Sequence, residues 1–301
     1  MSEPGVLVLG AGGMLGHKVF QASAARFPRS WGTLRGQLSE YPVLGEMAFG
    51  SARLVEGIEA SDLGSVSGLL ERLRPAFVVN CVGVIKQQAA AHDAVASITI
   101  NSLLPHALSA KLYEWGGRLI HISTDCVFDG ARGCYTEEDL PNAIDLYGRT
   151  KALGEVTSAN AITLRTSIIG RELRSHKSLL EWLLSQNHGR VSGYQQAWWS
   201  GVTTNHLSDL IVSLISDHAN LSGLYQVSSV RMSKYELLTL LRDAYGLDIT
   251  VDPDRSYVLD RSLTGDKLKA AIGYQCPPWS QLLSQLVADP TPYPNSFNPV
   301  T

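Results

Sequence analysis

The sequence has little that would support metal, disulfide, membrane or nucleic-acid chemistry. Its four cysteines, Cys81, Cys126, Cys134 and Cys276, form no CxxC pair and have no histidine nearby at zinc-ligand spacing. Neither a disulfide framework nor a zinc site is expected from such scattered thiols, which suit a reducing compartment. No apolar run approaches the ~20 residues that span a bilayer, so no membrane association is expected. Lys and Arg form no run and the net charge is -3; nucleic acid is not an expected partner, because phosphate-backbone binders show a basic face. There is no GxSxG elbow, no Walker loop and no internal repeat. The chain enters its first strand without a basic segment and cleavage site, and the expected location is cytoplasmic.

What is present is ordinary globular composition, 45% hydrophobic and 18% charged over 301 residues, enough for a substantial core. Gly5–Gly10 (GVLVLG) is a short apolar run without alternation, as in a strand buried on both faces. Further strands are expected at 31–35, 53–58, 77–81, 118–123 and 161–165, with helices at 14–26, 63–73, 94–114 and 146–158. Strand and helix alternate, which predicts an α/β fold with a Rossmann-type, doubly wound parallel sheet. Beyond Gly170 the texture changes. Helices are expected at 179–186, 205–216, 233–244, 263–272 and 279–287, with a strand at 223–227. Ser233 and Glu236 fit a capping box. Residues 1–170 thus read as a dinucleotide-binding region and 171–289 as a smaller, mainly substrate-binding α/β region that can return strands to the sheet. The proline-rich tail 290–301 reads as irregular.

The sharpest local pattern is Gly10-Ala11-Gly12-Gly13-Met14-Leu15-Gly16, directly after the first strand and before a helix. A pyrophosphate must approach backbone N–H groups at a helix N-terminus, where the dipole favours negative charge. Side chains at Gly10 and Gly13 would block that approach, and Gly16 lets helix and sheet pack closely. An NAD-specific site places an acid at the end of the second strand. Here that region carries Arg35 and no acid before Glu40. A guanidinium there suits a 2′-phosphate, so NADPH is the expected cofactor, NADH being the alternative if Arg35 is simply solvated. Asp62 and Leu63 stand where the adenine ring is expected, although Asp62 also reads as a helix N-cap.

The second pattern is Tyr147-Gly148-Arg149-Thr150-Lys151. Residues four apart share a helix face, and an ammonium beside a phenol lowers its pKa from ~10. Alone, YxxxK is common by chance. Here Ser123-Thr124-Asp125 ends the fifth strand, at the sheet edge where ligands bind, and a hydroxyl at Thr124 can bond a carbonyl oxygen.

Together, the glycine turn, Asn80-Cys81-Val82-Gly83, Ser123-Thr124-Asp125-Cys126-Val127-Phe128-Asp129-Gly130 and the YxxxK followed by Gly154-Glu155 resemble the extended short-chain dehydrogenase/reductases. Within them, the strand-end motif is similar to that of the dTDP-4-dehydrorhamnose reductase branch, as is Leu164-Arg165-Thr166-Ser167. The resemblance is specific from Gly5 to about Gly170 and thins to a pattern beyond. It implies that Tyr147 is the general acid, that Lys151 binds the ribose and tunes Tyr147, and that Thr124 orients the carbonyl. It also implies that Asn101 supports a proton relay, and that Cys81, Val82, Gly83, Ser123 and Thr166 border the cofactor. Substrate contacts are expected from Lys86, Asp125, Cys126, Ser167, Trp199 and Arg231, with Arg171, Arg174 and Lys177 as further cations for a diphosphate. One departure is Cys126, where the branch has Tyr. Related dehydratases carry a Glu base at that point; its absence argues against water elimination. The implied activity is NADPH-dependent reduction of a nucleotide-linked 4-keto-6-deoxysugar. An epimerase with retained cofactor and a non-catalytic NADP-binding regulatory subunit are the other readings. Helices 94–114 and 146–158 could pair across a two-fold axis in a homodimer.

Overall fold

The computed structural model describes residues 3–47, 49–50, 52–84, 93–174 and 177–293. Seven parallel strands form the main sheet. In chain order they are β1 (Val6–Leu9), β2 (Ser30–Thr33), β3 (Arg53–Val55), β4 (Phe77–Asn80), β5 (Arg118–Thr124), β6 (Ala161–Thr166) and, as the tenth strand of the chain, β10 (Gly223–Val227). Their spatial order is β10-β6-β5-β4-β1-β2-β3. Strands β1 and β4 are buried at every position, as an apolar run without alternation requires when helices cover both faces. The order reverses between β1 and β4, and the crevice beyond the carboxyl ends of these strands is where ligands bind in such sheets.

Helices α1 (Gly16–Arg26), α2 (Pro42–Glu46), α3 (Leu63–Leu73), α4 (Ala94–Ile98), α5 (Leu104–Tyr113) and α6 (Leu146–Leu153) connect these strands. The expected helix 94–114 is one run interrupted by a π-helical turn at Thr99–Leu103. Such a turn adds a residue to the helical ladder and is common at functional sites. The expected helix 146–158 stops at Leu153. A side chain at Gly154 would overlap the Asn101 carbonyl, so this glycine lets the end of α6 lie against the π turn. Both features fix the helix that carries Tyr147 and Lys151.

The rest of the chain builds a second core around β7 (Ile168–Ile169), α7 (Leu179–Ser185), β8 (Arg190–Trp199), β9 (Val202–Thr203), α8 (Thr204–Asp217), β11 (Met232–Ser233), α9 (Lys234–Tyr245), β12 (Thr250–Asp260), α10 (Asp266–Ile272) and α11 (Trp279–Val287). Leu180, Leu183, Leu237, Leu241 and Leu282 lie at its centre. The capping box at Ser233 is present, with Glu236 N donating to Ser233 Oγ and Ser233 N to Glu236 Oε2. Strands β11, β8 and β12 form a small sheet that the sequence pattern did not reveal. The buried face of β8 includes Gly193 and Ala197, and β12 carries Asp252, Pro253, Asp254 and Arg255 with a register shift before Val258. Apolar alternation is therefore muted in both. The helix expected at 263–272 begins only at Asp266.

Of the tail, residues 290–293 are described; they carry no helix or strand and are pinned. Lys18 Nζ reaches Asp289 Oδ1 at 2.9 Å, and Tyr293 Oη lies 2.8 Å from His17 Nε2 and 3.0 Å from Asp289 Oδ2. Burial alone would raise the Asp289 pKa, but Lys18 and Thr291 hold it down at about 2. A depressed carboxylate adds stability that is complete above its unfolded pKa of about 4 and is lost as pH falls through the folded value. Acid unfolding followed by circular dichroism should show Asp289→Asn less stable than wild type at pH 7, the gap closing between about pH 4 and 2.

Candidate active site

The glycine turn follows β1 directly. Gly10 has a φ of 84°, a left-handed conformation, and a Cβ there would meet Val82 Cγ2 at 2.9 Å. At Gly16 a Cβ would overlap the Gly10 carbonyl oxygen, and at Gly12 the ring of Tyr41. Gly13 N donates to Gly10 O at 2.9 Å, which closes the turn. Leu15 is the N-cap of α1 and makes no side-chain cap, while His17 N donates to Gly13 O at 3.1 Å; the dipole of this helix end still favours an anion. Met14 lines the turn half-buried and Leu15 is buried beneath it. These residues fit a dinucleotide pyrophosphate, since a cradle that a Cβ would fill sits at a helix N-terminus.

Arg35 is exposed just past β2. It lies within electrostatic reach of Glu40, which also receives Arg174 Nη1 at 3.0 Å. The Gln37 backbone N–H, first, and then Arg174 and Arg35 hold the Glu40 carboxyl below its usual range. Arg174 also lies over the Tyr41 ring, 4.7 Å from its centre, so a residue of the second region covers the outer end of the glycine turn. Asp62 caps α3, accepting from Ser65 N at 3.0 Å, and Leu63 begins that helix.

The edge of β4 is held by side chains. Val82 N donates to Asn80 Oδ1, and Val84 N to Asn101 Oδ1 at 2.9 Å. Asn101 Nδ2 reaches Val84 O and Thr150 Oγ1. The Asn101 amide thus clips the strand end beside Gly83 to α6, a positioning role. Burial pushes the Cys81 thiol up to about 12, so it is inert at neutral pH.

Thr124, 8% exposed, ends β5 and touches the Tyr147 phenol. Its hydroxyl also accepts from Cys126 N at 3.1 Å and donates to Asp125 Oδ1 at 3.2 Å. Lys151 is buried on the same helix as Tyr147, its Nζ donating to Ile122 O at 2.6 Å. Burial brings the Lys151 pKa down to about 8, against the attraction of Glu155. The ammonium was expected to lower the phenol pKa. Here the phenol is pushed up, by burial and then by Cys126, with the Thr124 bond acting in the opposite sense. Burial outweighs any help from Lys151, whose Nζ is directed to Ile122 O. Behind the site, Glu155 accepts from Ser123 Oγ at 2.7 Å and pairs with Arg165 through Nε at 2.9 Å and Nη2 at 2.7 Å. Arg165 in turn lies over Phe128. Thr166 is buried and donates to Val227 O, tying the end of β6 to β10.

The expected substrate residues divide. Asp125, Cys126 and Ser167 lie at or beside the strand ends. Trp199 is a packing residue, 3% exposed, with Nε1 on Ser167 Oγ at 2.6 Å; Lys234 Nζ lies 4.4 Å from its ring centre. Arg231 pairs with Asp260 at 2.6 Å and covers Trp198, so its charge is already matched at the rim. Arg171 is buried and paired with Glu181, which removes it from the diphosphate candidates. Lys86 lies outside the described residues. Two cations were not anticipated. Lys234 acts electrostatically on Asp125 and Cys126, and Arg261 Nη1 lies 3.5 Å from Cys126 Sγ. The signal available for Lys234 was its place in the first turn of a capped helix, where the dipole disfavours a cation.

A reversed parallel sheet, a glycine cradle and a Thr-Tyr-Lys cluster at one strand edge define the extended short-chain dehydrogenase/reductase-like class. Within it, the chain belongs to the family described as RmlD substrate binding domain, whose model matches residues 4–290. Among curated relatives, methionine adenosyltransferase 2 subunit beta of Rattus norvegicus is 26% identical over 256 residues, covering 80% of this chain and 72% of the relative. The dTDP-4-keto-6-deoxy-D-glucose reductase of Streptomyces niveus is 27% identical over 198 residues, 64% of this chain and 68% of the relative. Among solved structures, dTDP-4-dehydrorhamnose reductase of Bacillus anthracis in complex with NADP superposes with a TM-score of 0.76 at 20% identity. That match covers 96% of this chain and 100% of the other.

Proposed function

We propose that the chain is an NADPH-dependent reductase of a nucleotide-linked 4-keto-6-deoxysugar. The observation that carries the reading is the contact between the Tyr147 phenol and the Thr124 hydroxyl, beside buried Lys151 at the carboxyl edge of β5. A phenol whose pKa burial raises is protonated at neutral pH, the state a proton donor needs. Tyr147 protonates the carbonyl oxygen and Thr124 holds that oxygen. Lys151 anchors the ribose, and Gly10, Gly12, Gly13 and Gly16 admit the pyrophosphate. The nicotinamide, when bound, supplies the hydride to the carbonyl carbon. The Streptomyces relative, a reductase of a dTDP-linked 4-keto-6-deoxysugar by its name, supports the substrate class.

The test is NADPH oxidation by the purified protein against dTDP-, UDP- and GDP-linked 4-keto-6-deoxyhexoses. Sugar-dependent oxidation supports the reductase. Altered sugar without net oxidation favours an epimerase. A second reading, the non-catalytic regulatory subunit, is favoured by the similarity to methionine adenosyltransferase subunit beta. It gains if NADPH binds and every sugar is left untouched.

The preference for NADPH rests on Arg35, with Arg174 near the same carboxylate. Arg35→Ala should weaken NADPH binding about tenfold and leave NADH nearly unchanged, as loss of one charge-assisted contact implies. Fluorescence titration with both cofactors decides it; equal losses would remove the 2′-phosphate assignment.

A further inference from the structure

Behind the glycine turn, α1 buries a histidine that the proton transfer from Tyr147 does not use. His17 sits in the first turn of the helix, closed off from solvent. Its Nδ1 lies 2.9 Å from Gly13 O, the same oxygen that the His17 backbone N–H bonds at 3.1 Å. Its Nε2 lies 2.8 Å from the hydroxyl of Tyr293, 276 residues further along the chain. The imidazole is thus held at both nitrogens, and the Tyr293 ring stands edge-on to it with centres 5.6 Å apart. Tyr293 is fixed in turn. Arg171 lies over its ring at 4.7 Å, and its hydroxyl is 3.0 Å from Asp289, which Lys18 and Asn205 also hold.

A carbonyl oxygen only accepts, so Nδ1 carries a hydrogen. Burial brings the imidazole down to about 4, and a neutral ring has that one hydrogen alone. Nε2 is then an acceptor, and the Tyr293 hydroxyl is its donor. The bond made at one ring nitrogen selects the tautomer at the other, so Tyr293 favours the form that can grip Gly13 O. This grip acts on the far side of the peptide. In a planar trans peptide the C=O and the N–H point in opposite directions. With the Gly13 oxygen turned onto His17, the Met14 N–H is turned away from it, out of the helix end where an anion is favoured. We infer that Tyr293 is a positioning residue for the dinucleotide, acting through His17 to aim the Gly13–Met14 peptide at the pyrophosphate. The inference rests on the cofactor reading above. It makes residues near the end of the chain part of a cradle built at its start.

The experiment is a binding titration with NADPH and with adenosine 2′-monophosphate, which keeps the adenosine end and has no pyrophosphate. Tyr293→Phe keeps the ring beneath Arg171 and removes the donor to Nε2. It should weaken NADPH about three- to tenfold, as loss of one neutral hydrogen bond implies. Adenosine 2′-monophosphate should bind unchanged. His17→Asn places an amide nitrogen where Nδ1 stands, and such a side chain can bond the carbonyl four residues back. That variant should bind NADPH as the wild type does, with no help from the tail. Adding Tyr293→Phe to it should then cost nothing further, a result that general loosening of the fold would not give. Equal losses for both ligands would make the tail a support of the whole fold and overturn the inference. So would a further loss on adding Tyr293→Phe to His17→Asn. If the wild type binds neither NADPH nor NADH, the cofactor reading itself fails; if it binds NADPH and Tyr293→Phe binds equally well, only this inference does.

Discussion

Tyr147→Phe should bind NADPH as the wild type does and lose turnover by about 10²–10⁴, the usual contribution of a positioned acid. Phenylalanine keeps the ring and its packing on α6 and removes only the hydroxyl that meets Thr124. Lys151 is engaged with Ile122 O, and Asp125 is acceptor to the Thr124 hydroxyl. The measurement is single-turnover NADPH oxidation with the best panel sugar, beside a fluorescence titration of NADPH. Loss of turnover with unchanged cofactor affinity is the expected result. Near-normal turnover would mean that another group supplies the proton, and the assignment of Tyr147 would fall.

The second large effect concerns stability. Glu155→Ala should destabilise the fold by ~3–5 kcal/mol, because it leaves Arg165 charged and unpaired in the interior. The Arg165 side chain is 1% exposed and that of Glu155 7%, and Ser123 depends on the same carboxylate. Replacing both partners with apolar residues, Glu155→Leu with Arg165→Met, should cost far less, since no buried charge is then orphaned. Urea unfolding of the two variants separates these outcomes. Equal destabilisation would show that the site needs the shape of the pair rather than its charge balance. Because Glu155 also supports the ammonium of Lys151, the single variant should in addition carry a lower Lys151 pKa.

The features legible from the sequence were those written in local pattern. Helices 63–73 and 279–287 were read with the bounds they have, because apolar spacing marks both and Asp62 caps the first. The glycine turn, Thr124, Tyr147 and Lys151 were legible because each occupies a fixed offset from a strand end or on a helix face. What escaped depends on tertiary contact. The π turn at Thr99–Leu103 has no sequence period of its own; it exists where Asn101 clips Val84 to Thr150. Strands β8 and β12 hide their alternation behind small and charged residues. Lys234 and Arg261 come from segments more than 80 residues beyond Tyr147, and only the folded chain brings them to Cys126 and Asp125. Residues 289–293 have no regular structure, yet Asp289 and Tyr293 reach α1.

The strand order sets a schedule for synthesis. Strand β6 has β5 on one side and β10 on the other, and about sixty residues separate the end of β6 from the end of β10. At roughly 5–20 residues per second on the ribosome, the outer edge of β6 waits some seconds for its partner. During that interval a strand buried at all its positions in the finished protein presents open backbone groups to the cell. Asp289 and Tyr293, which lock α1, arrive later still. The nascent chain therefore completes its first-made helix last, and a holdase that shields the β6 edge has its greatest effect before residue 227 emerges.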